Sequence, residues 1–167
     1  MKLPALMLAL CLALAIAVGG CGSSSDSSSG STASSGSAEA SNTDLSKKPV
    51  VTVPTGVSPK KFAYKDIVEG TGPVAKSGDK VSVQYVGVGF ESEKEFDSSW
   101  SRNEPFSFTL GGGEVIKGWD KGVEGMKVGG RRELLLPANL AYGPAGSPPK
   151  IGPNETLIFV IDLLEVN

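Results

Sequence analysis

The stretch Glu114-Val115-Ile116-Lys117-Gly118-Trp119-Asp120-Lys121-Gly122-Val123-Glu124-Gly125-Met126 decides the fold. Its apolar residues Val115, Ile116, Trp119, Val123 and Met126 recur at steps of three and four, the spacing of one helical face. Gly118 and Gly122 interrupt that face, and each costs about 1 kcal/mol against Ala in a helix interior. The helix is therefore short and persists only by packing. Glycines there also let a sheet backbone approach closely, with Trp119 projecting into a concave sheet.

Strands flank this helix on both sides. Val81, Val83 and Tyr85 alternate with Ser82 and Gln84, and Phe106, Phe108 and Leu110 alternate with Ser107 and Thr109, the period of half-buried strands. Leu134-Leu135-Leu136 is a short apolar strand stopped by Pro137. Leu157 to Val166 is apolar on both faces, which predicts a central strand. Phe62, Tyr64 and Ile67-Val68 form an earlier strand whose alternation slips near Asp66, the mark of a bulge. Gly87 to Glu95 reads as a loop whose Glu91, Glu93 and Glu95 form a solvated face. Gly143 to Pro153, with seven Gly or Pro in 11 residues, is a second loop. The expected architecture is α+β, an antiparallel sheet of about five strands curled around one short helix.

Composition narrows the chemistry. The chain has 167 residues, 16 Lys+Arg, 18 Asp+Glu, no His and two Cys. Without His there is no Ser-His or Cys-His dyad and no imidazole general base or metal ligand. Two cysteines, Cys11 and Cys21, cannot build a Cys₄ metal site. A net charge of −2 argues against a nucleic-acid binder. Gly111-Gly112-Gly113 lacks the Gly-Lys-Ser/Thr ending of a phosphate loop. No cofactor is called for.

Three regions follow. Residues 1–20 read as an export signal: Lys2, then an uncharged apolar run of 16 residues from Leu3 to Val18, short of the roughly 20 needed to span a bilayer. Val18-Gly19-Gly20-Cys21 resembles the bacterial lipobox, which implies cleavage before Cys21 and lipid on its thiol. Several acyl chains, at about 0.8 kcal/mol per buried methylene, would anchor firmly. Residues 21–47 read as a tether. Twelve of the 25 residues from Gly22 to Ser46 are Ser and none is aromatic, so the segment cannot offset its ordering entropy. Residues 48–167 form the domain, opening with an extended Pro-containing lead-in (48–60). All 11 aromatic residues lie between Phe62 and Phe159.

Five segments, in order and in register, resemble the FK506-binding protein (FKBP) type of peptidyl-prolyl cis-trans isomerase. They are Val83-Gln84-Tyr85-Val86-Gly87, Glu95-Phe96-Asp97-Ser98-Ser99, Glu114 to Trp119, Val128 to Arg132, and Leu140-Ala141-Tyr142-Gly143. The resemblance covers residues 60–167 and implies a five-stranded half-barrel sheet wrapped on one short helix. It also implies a proline pocket with Trp119 as floor and Tyr85, Phe106, Val115, Ile116 and Phe159 as apolar walls, with Ile151 among the substrate-binding residues. Phe96 and Asp97 would lie closest to the twisting amide, with Arg102 steadying Asp97. Tyr142 would donate from the rim, and the Ile116 N–H would donate to the carbonyl after proline. Ser147, Lys150 and Trp100 depart from the family's usual residues. The implied partners are Xaa-Pro segments of exported proteins and FK506- or rapamycin-type macrolides. Monomer is the default expectation, since the sequence shows no heptads and no obvious edge for pairing, and the lipobox resemblance implies a lipid anchor outside the cytoplasm in a bacterial envelope. Such catalysis needs no proton transfer and no covalent intermediate, so the absence of His is no obstacle. The other reading is a non-catalytic module that holds Pro-containing or unfolded segments on the same fold.

Overall fold

The computed structural model describes residues 42–167. The export signal, Cys21 and most of the tether lie outside the described residues. Six strands form one antiparallel sheet: β1 (Ala63–Val68), β2 (Lys80–Gly89), β3 (Glu95–Ser98), β4 (Phe106–Thr109), β5 (Arg131–Leu136) and β6 (Leu157–Val166). Their order is β1-β5-β6-β2-β3, with β4 also on β2. Strand β6 lies between β5 and β2, the place its apolar character on both faces calls for. The slip near Asp66 is a register shift between Asp66 and Val68 where β1 meets β5.

The expected loop from Gly87 to Glu95 is instead a hairpin. Strand β2 runs on through Gly89, the chain turns over residues 90–94, and β3 begins at Glu95. The three glutamates are all exposed, as expected, but each has its own setting. Glu93 has φ of 53°, Glu91 accepts the Thr156 N–H at 2.9 Å, and Glu95 pairs with Lys48 at 2.7 Å. A four-residue strand bounded by glutamates and serines carries little periodicity, which is why the count rises from five strands to six.

Helix α1 (Lys117–Val123) is shorter than the apolar spacing, as its glycines require. A Cβ on Gly118 would stand 2.6 Å from the Leu136 side chain, and one on Gly122 would stand 2.7 Å from Leu134 Cδ2. Glycine is what brings α1 down onto β5. Trp119, Val123 and Met126 then join Val81, Val83, Phe108, Leu134, Leu136, Ile161 and Leu163 in the core between helix and sheet.

The opposite face of the sheet is also buried. Val86 faces Val160 and Val88 faces Ile158 across the β2–β6 ladder, and all four are buried yet stand outside the helix-side core. The segment ahead of β1 crosses this face. Pro49 is buried, and Val51 and Val53 are half-buried between exposed Val50, Thr52 and Pro54. The strap is pinned at both ends. At one end Arg131, fully buried, makes a two-pronged contact with Asp162 at 2.5 and 2.7 Å. The same guanidinium donates to the carbonyls of Asn42 (2.8 Å) and Lys47 (2.9 Å). At the other, the Ser58 hydroxyl meets that of Thr156 at 2.6 Å. Residues 42–47, assigned to the tether by their composition, thus belong to the packed structure, because a buried arginine needs their carbonyls.

Candidate functional site

The end of the sheet beside α1 is not closed. A cavity of about 460 Å³ opens there, lined by Tyr85, Phe96, Asp97, Phe106, Glu114, Val115, Ile116, Trp119, Tyr142 and Phe159. That volume lies within the range of small-ligand sites. Trp119 is the floor, only 4% exposed. Around it stand Tyr85 (ring centroids 4.9 Å apart, 80° between planes), Phe159 (5.3 Å, 87°) and Phe106 (6.0 Å, 74°). These edge-to-face contacts fix the indole at the base of the cavity. Phe106 and Tyr142, 37% and 42% exposed, form the rim.

Local backbone devices aim the side chains. Gly87 pairs with Asp97 while Val88 pairs with Glu95, so Phe96 is the extra residue of a β-bulge. A bulge lets two consecutive side chains point the same way, and Phe96 and Asp97 both reach the cavity. Gly87 is part of the arrangement, since a Cβ there would come within 2.7 Å of Phe96 and 2.8 Å of Phe159. After β3 the chain leaves β2, makes a short 3₁₀ turn (Trp100–Arg102) and returns as β4. Asn103, with φ of 54°, takes the left-handed conformation that ends the turn. The Ser99 hydroxyl fills the gap in the ladder by accepting the Tyr85 N–H at 2.7 Å.

That turn carries Arg102 back to Asp97. The Arg102 guanidinium donates to Asp97 Oδ1 and, at 2.8 Å, to the Tyr85 hydroxyl. The Tyr85 hydroxyl donates to Asp97 Oδ2 at 2.5 Å. Burial pushes against the Asp97 charge, but hydrogen bonds from Tyr85 and Arg102 outweigh it and hold the carboxyl below its usual range. Burial, with the hydrogen bond to Asp97, pushes the Tyr85 phenol up to about 12. Burial also raises the Tyr142 phenol, helped by the nearby Asp97 charge. Both phenols therefore keep their protons at neutral pH. The cavity offers apolar walls, the Asp97 carboxylate already answered by a cation, a second acidic residue in Glu114, and the phenol of Tyr142 at its rim. Among the described residues, no group of three or more His, Cys, Asp or Glu could hold a metal ion.

Nine residues named from the sequence meet around this cavity: Tyr85, Phe96, Asp97, Phe106, Val115, Ile116, Trp119, Tyr142 and Phe159. Two do not line it. Arg102 sits behind Tyr85 and Asp97 and acts through them. Ile151 is not among the residues lining the cavity; it is buried, and its backbone pairs with Ser147 (2.9 and 3.0 Å), closing the 143–153 loop. Glu114 is the lining residue not singled out in the sequence. It lies inside the Glu114–Trp119 segment, but an exposed glutamate before a helix carries no signal of its own.

The comparisons agree with this geometry. A family model for the FKBP-type peptidyl-prolyl cis-trans isomerases matches residues 72–164. An FK506-binding protein of Streptomyces anulatus is 60% identical over 121 residues, covering 72% of this chain and 98% of the relative. The crystal structure of AtFKBP13 superposes with a TM-score of 0.60 at 41% identity, over 66% of this chain and 97% of its own. FkpA from Escherichia coli gives a TM-score of 0.58 at 44% identity, over 64% of this chain and 48% of its own. The chain belongs to the FKBP-type peptidyl-prolyl cis-trans isomerase family, whose members bind proline-containing peptides and FK506-type ligands.

Proposed function

We propose that this protein accelerates Xaa-Pro rotation in exported proteins by binding the twisted imide more tightly than the planar one, while held to a membrane by lipid on Cys21. The observation that carries the catalytic part is the open cavity floored by Trp119, with Asp97 held beside it by Tyr85 and Arg102.

Amide resonance sets a rotation barrier of about 18–20 kcal/mol. Twisting the bond removes double-bond character and charge separation, so the twisted imide is less polar than the planar one. Walls of Tyr85, Phe106, Trp119 and Phe159 solvate it better than they solvate the ground state. Interactions stronger in the transition state are the ones that raise the rate. Tyr142 and Ile116 both line the cavity, and in this reading the Tyr142 hydroxyl and the Ile116 N–H donate to carbonyls flanking the bond. A thousandfold acceleration needs only about 4 kcal/mol. Phe96 and Asp97 border the space the imide would sweep. The proton on the Tyr85 phenol stays in place throughout.

The extracytoplasmic, lipid-anchored setting is supported by the apolar run and by Val18-Gly19-Gly20-Cys21. The domain acts as a monomer in this reading. The test is refolding of a protein limited by a prolyl bond, with catalytic amounts of the full chain. The slow phase should quicken in proportion to the protein added, and Asp97→Ala should weaken the effect. A folded wild type that leaves the slow phase unchanged would contradict the proposal.

A further inference from the structure

Two acidic residues, Asp97 and Glu114, line the cavity, and they differ in what answers their charge. Asp97 accepts from Tyr85, from the Ser98 N–H at 2.9 Å and from the Arg102 guanidinium, so a cation balances it. Glu114 Oε2 accepts the Thr109 N–H at 3.2 Å, which steadies the side chain without neutralising it. Among the described residues no ion pair involves Glu114. The neighbouring cations are turned elsewhere. Lys117 lines a separate groove with Asp120 and Glu124. Lys121 lies 5.4 Å over the Phe62 ring. Arg102 is committed to Asp97 and Tyr85. Glu114 therefore leaves a carboxylate without a cation at the exposed rim of the cavity, just ahead of Val115 and Ile116 in the chain. A cleft with low-dielectric walls focuses such a field on whatever enters it.

We infer that Glu114 is a specificity-determining residue: it favours prolyl segments carrying Lys or Arg within two residues of the proline and disfavours those carrying Asp or Glu there. This rests on the isomerase reading above. An ion pair at an exposed rim is worth little, so the preference is modest. Comparing a Lys with a Glu peptide should give about a two- to tenfold difference in kcat/KM at low ionic strength. Salt near 0.5 M, where the screening length falls to a few ångströms, should bring the ratio towards one.

The experiment measures kcat/KM by NMR exchange, using the full chain and five peptides built on Ala-Leu-Pro-Ala. One is neutral, and the others place Lys or Glu two residues before or after the proline. On at least one side of the proline, Lys should exceed Glu. Glu114→Gln should collapse that ratio, Glu114→Lys should invert it, and Glu124→Gln, outside the cavity, should leave it intact. Equal rates for Lys and Glu on both sides, or a preference that survives Glu114→Gln, would overturn the inference while leaving the isomerase reading standing. Failure to accelerate even the neutral peptide would overturn both. The charge-reversal variant keeps the test decisive should Glu114→Gln fold poorly.

Discussion

The two faces of this sheet are built from the same strands but handle their apolar residues in opposite ways. On the helix side, one end is left open, so that Trp119, Tyr85 and Phe159 border a cavity instead of a packed interior. On the other side, Val86, Val88, Ile158 and Val160 are sealed beneath the strap at residues 42–58. The polar groups differ in the same sense. Arg131 and Asp162 are buried as a pair and capped by strap carbonyls, whereas Arg102 and Asp97 are each more than a third exposed. One ion pair belongs to the structure's integrity and the other to the site. The site can therefore tolerate exposed aromatic surface because stability is secured on the opposite face.

Breaking the sealed face should give the largest effect. Arg131→Met leaves Asp162 buried without its cation and frees the strap carbonyls, so it should cost about 3–5 kcal/mol in denaturant unfolding. Protein that remains folded should keep its kcat/KM. If Arg131→Met costs under about 1 kcal/mol, the strap is not what the buried pair holds. Next comes the helix contact. Gly122→Ala forces a methyl against Leu134 and should cost about 1–3 kcal/mol by overpacking, read as a fall in Tm.

Asp97→Asn should show the reverse pattern. Catalysis should fall about tenfold, equivalent to ~1.4 kcal/mol of barrier, while unfolding free energy changes by less than ~1 kcal/mol, because the Arg102 pair is exposed. A matching loss of stability would erase the contrast between the faces.

The smallest effect is on pH. Asp97 titrates below its usual range, so the stability its charge contributes is present above pH ~4 and is lost as pH falls through its lowered value. The Tyr85 phenol is raised to about 12, so its contribution as a neutral donor is present below pH ~10 and is lost as pH rises through about 12. Between pH ~5 and ~9 kcat/KM should be flat. A bell-shaped profile centred near neutrality would point to a titrating group that this site does not contain.

Much of the fold was legible because its signals are periodic or steric. The two glycines of α1 foretold its short length and its close seat on β5, and the doubly apolar run from Leu157 foretold the central strand. Strand β3 was hidden because it is short and its bulge breaks the alternation at Phe96 and Asp97. The strap was hidden for another reason. Residues 42–47 look like linker, and only Arg131, some ninety residues downstream, gives their carbonyls a purpose. The aromatic members of the site could be named from the family's motif. The placements of Ile151 and Glu114 could not, since lining a cavity depends on which way a loop closes, and no local pattern records that.

The central claim is that the open end of the sheet speeds rotation and does not merely hold proline. Exchange spectroscopy on a short Xaa-Pro peptide, with the protein far below the peptide concentration, tests it most directly. Cis–trans cross-peaks should grow with added protein and vanish when the cavity is blocked by an FK506-type ligand. Saturable binding with exchange no faster than in the free peptide would contradict it.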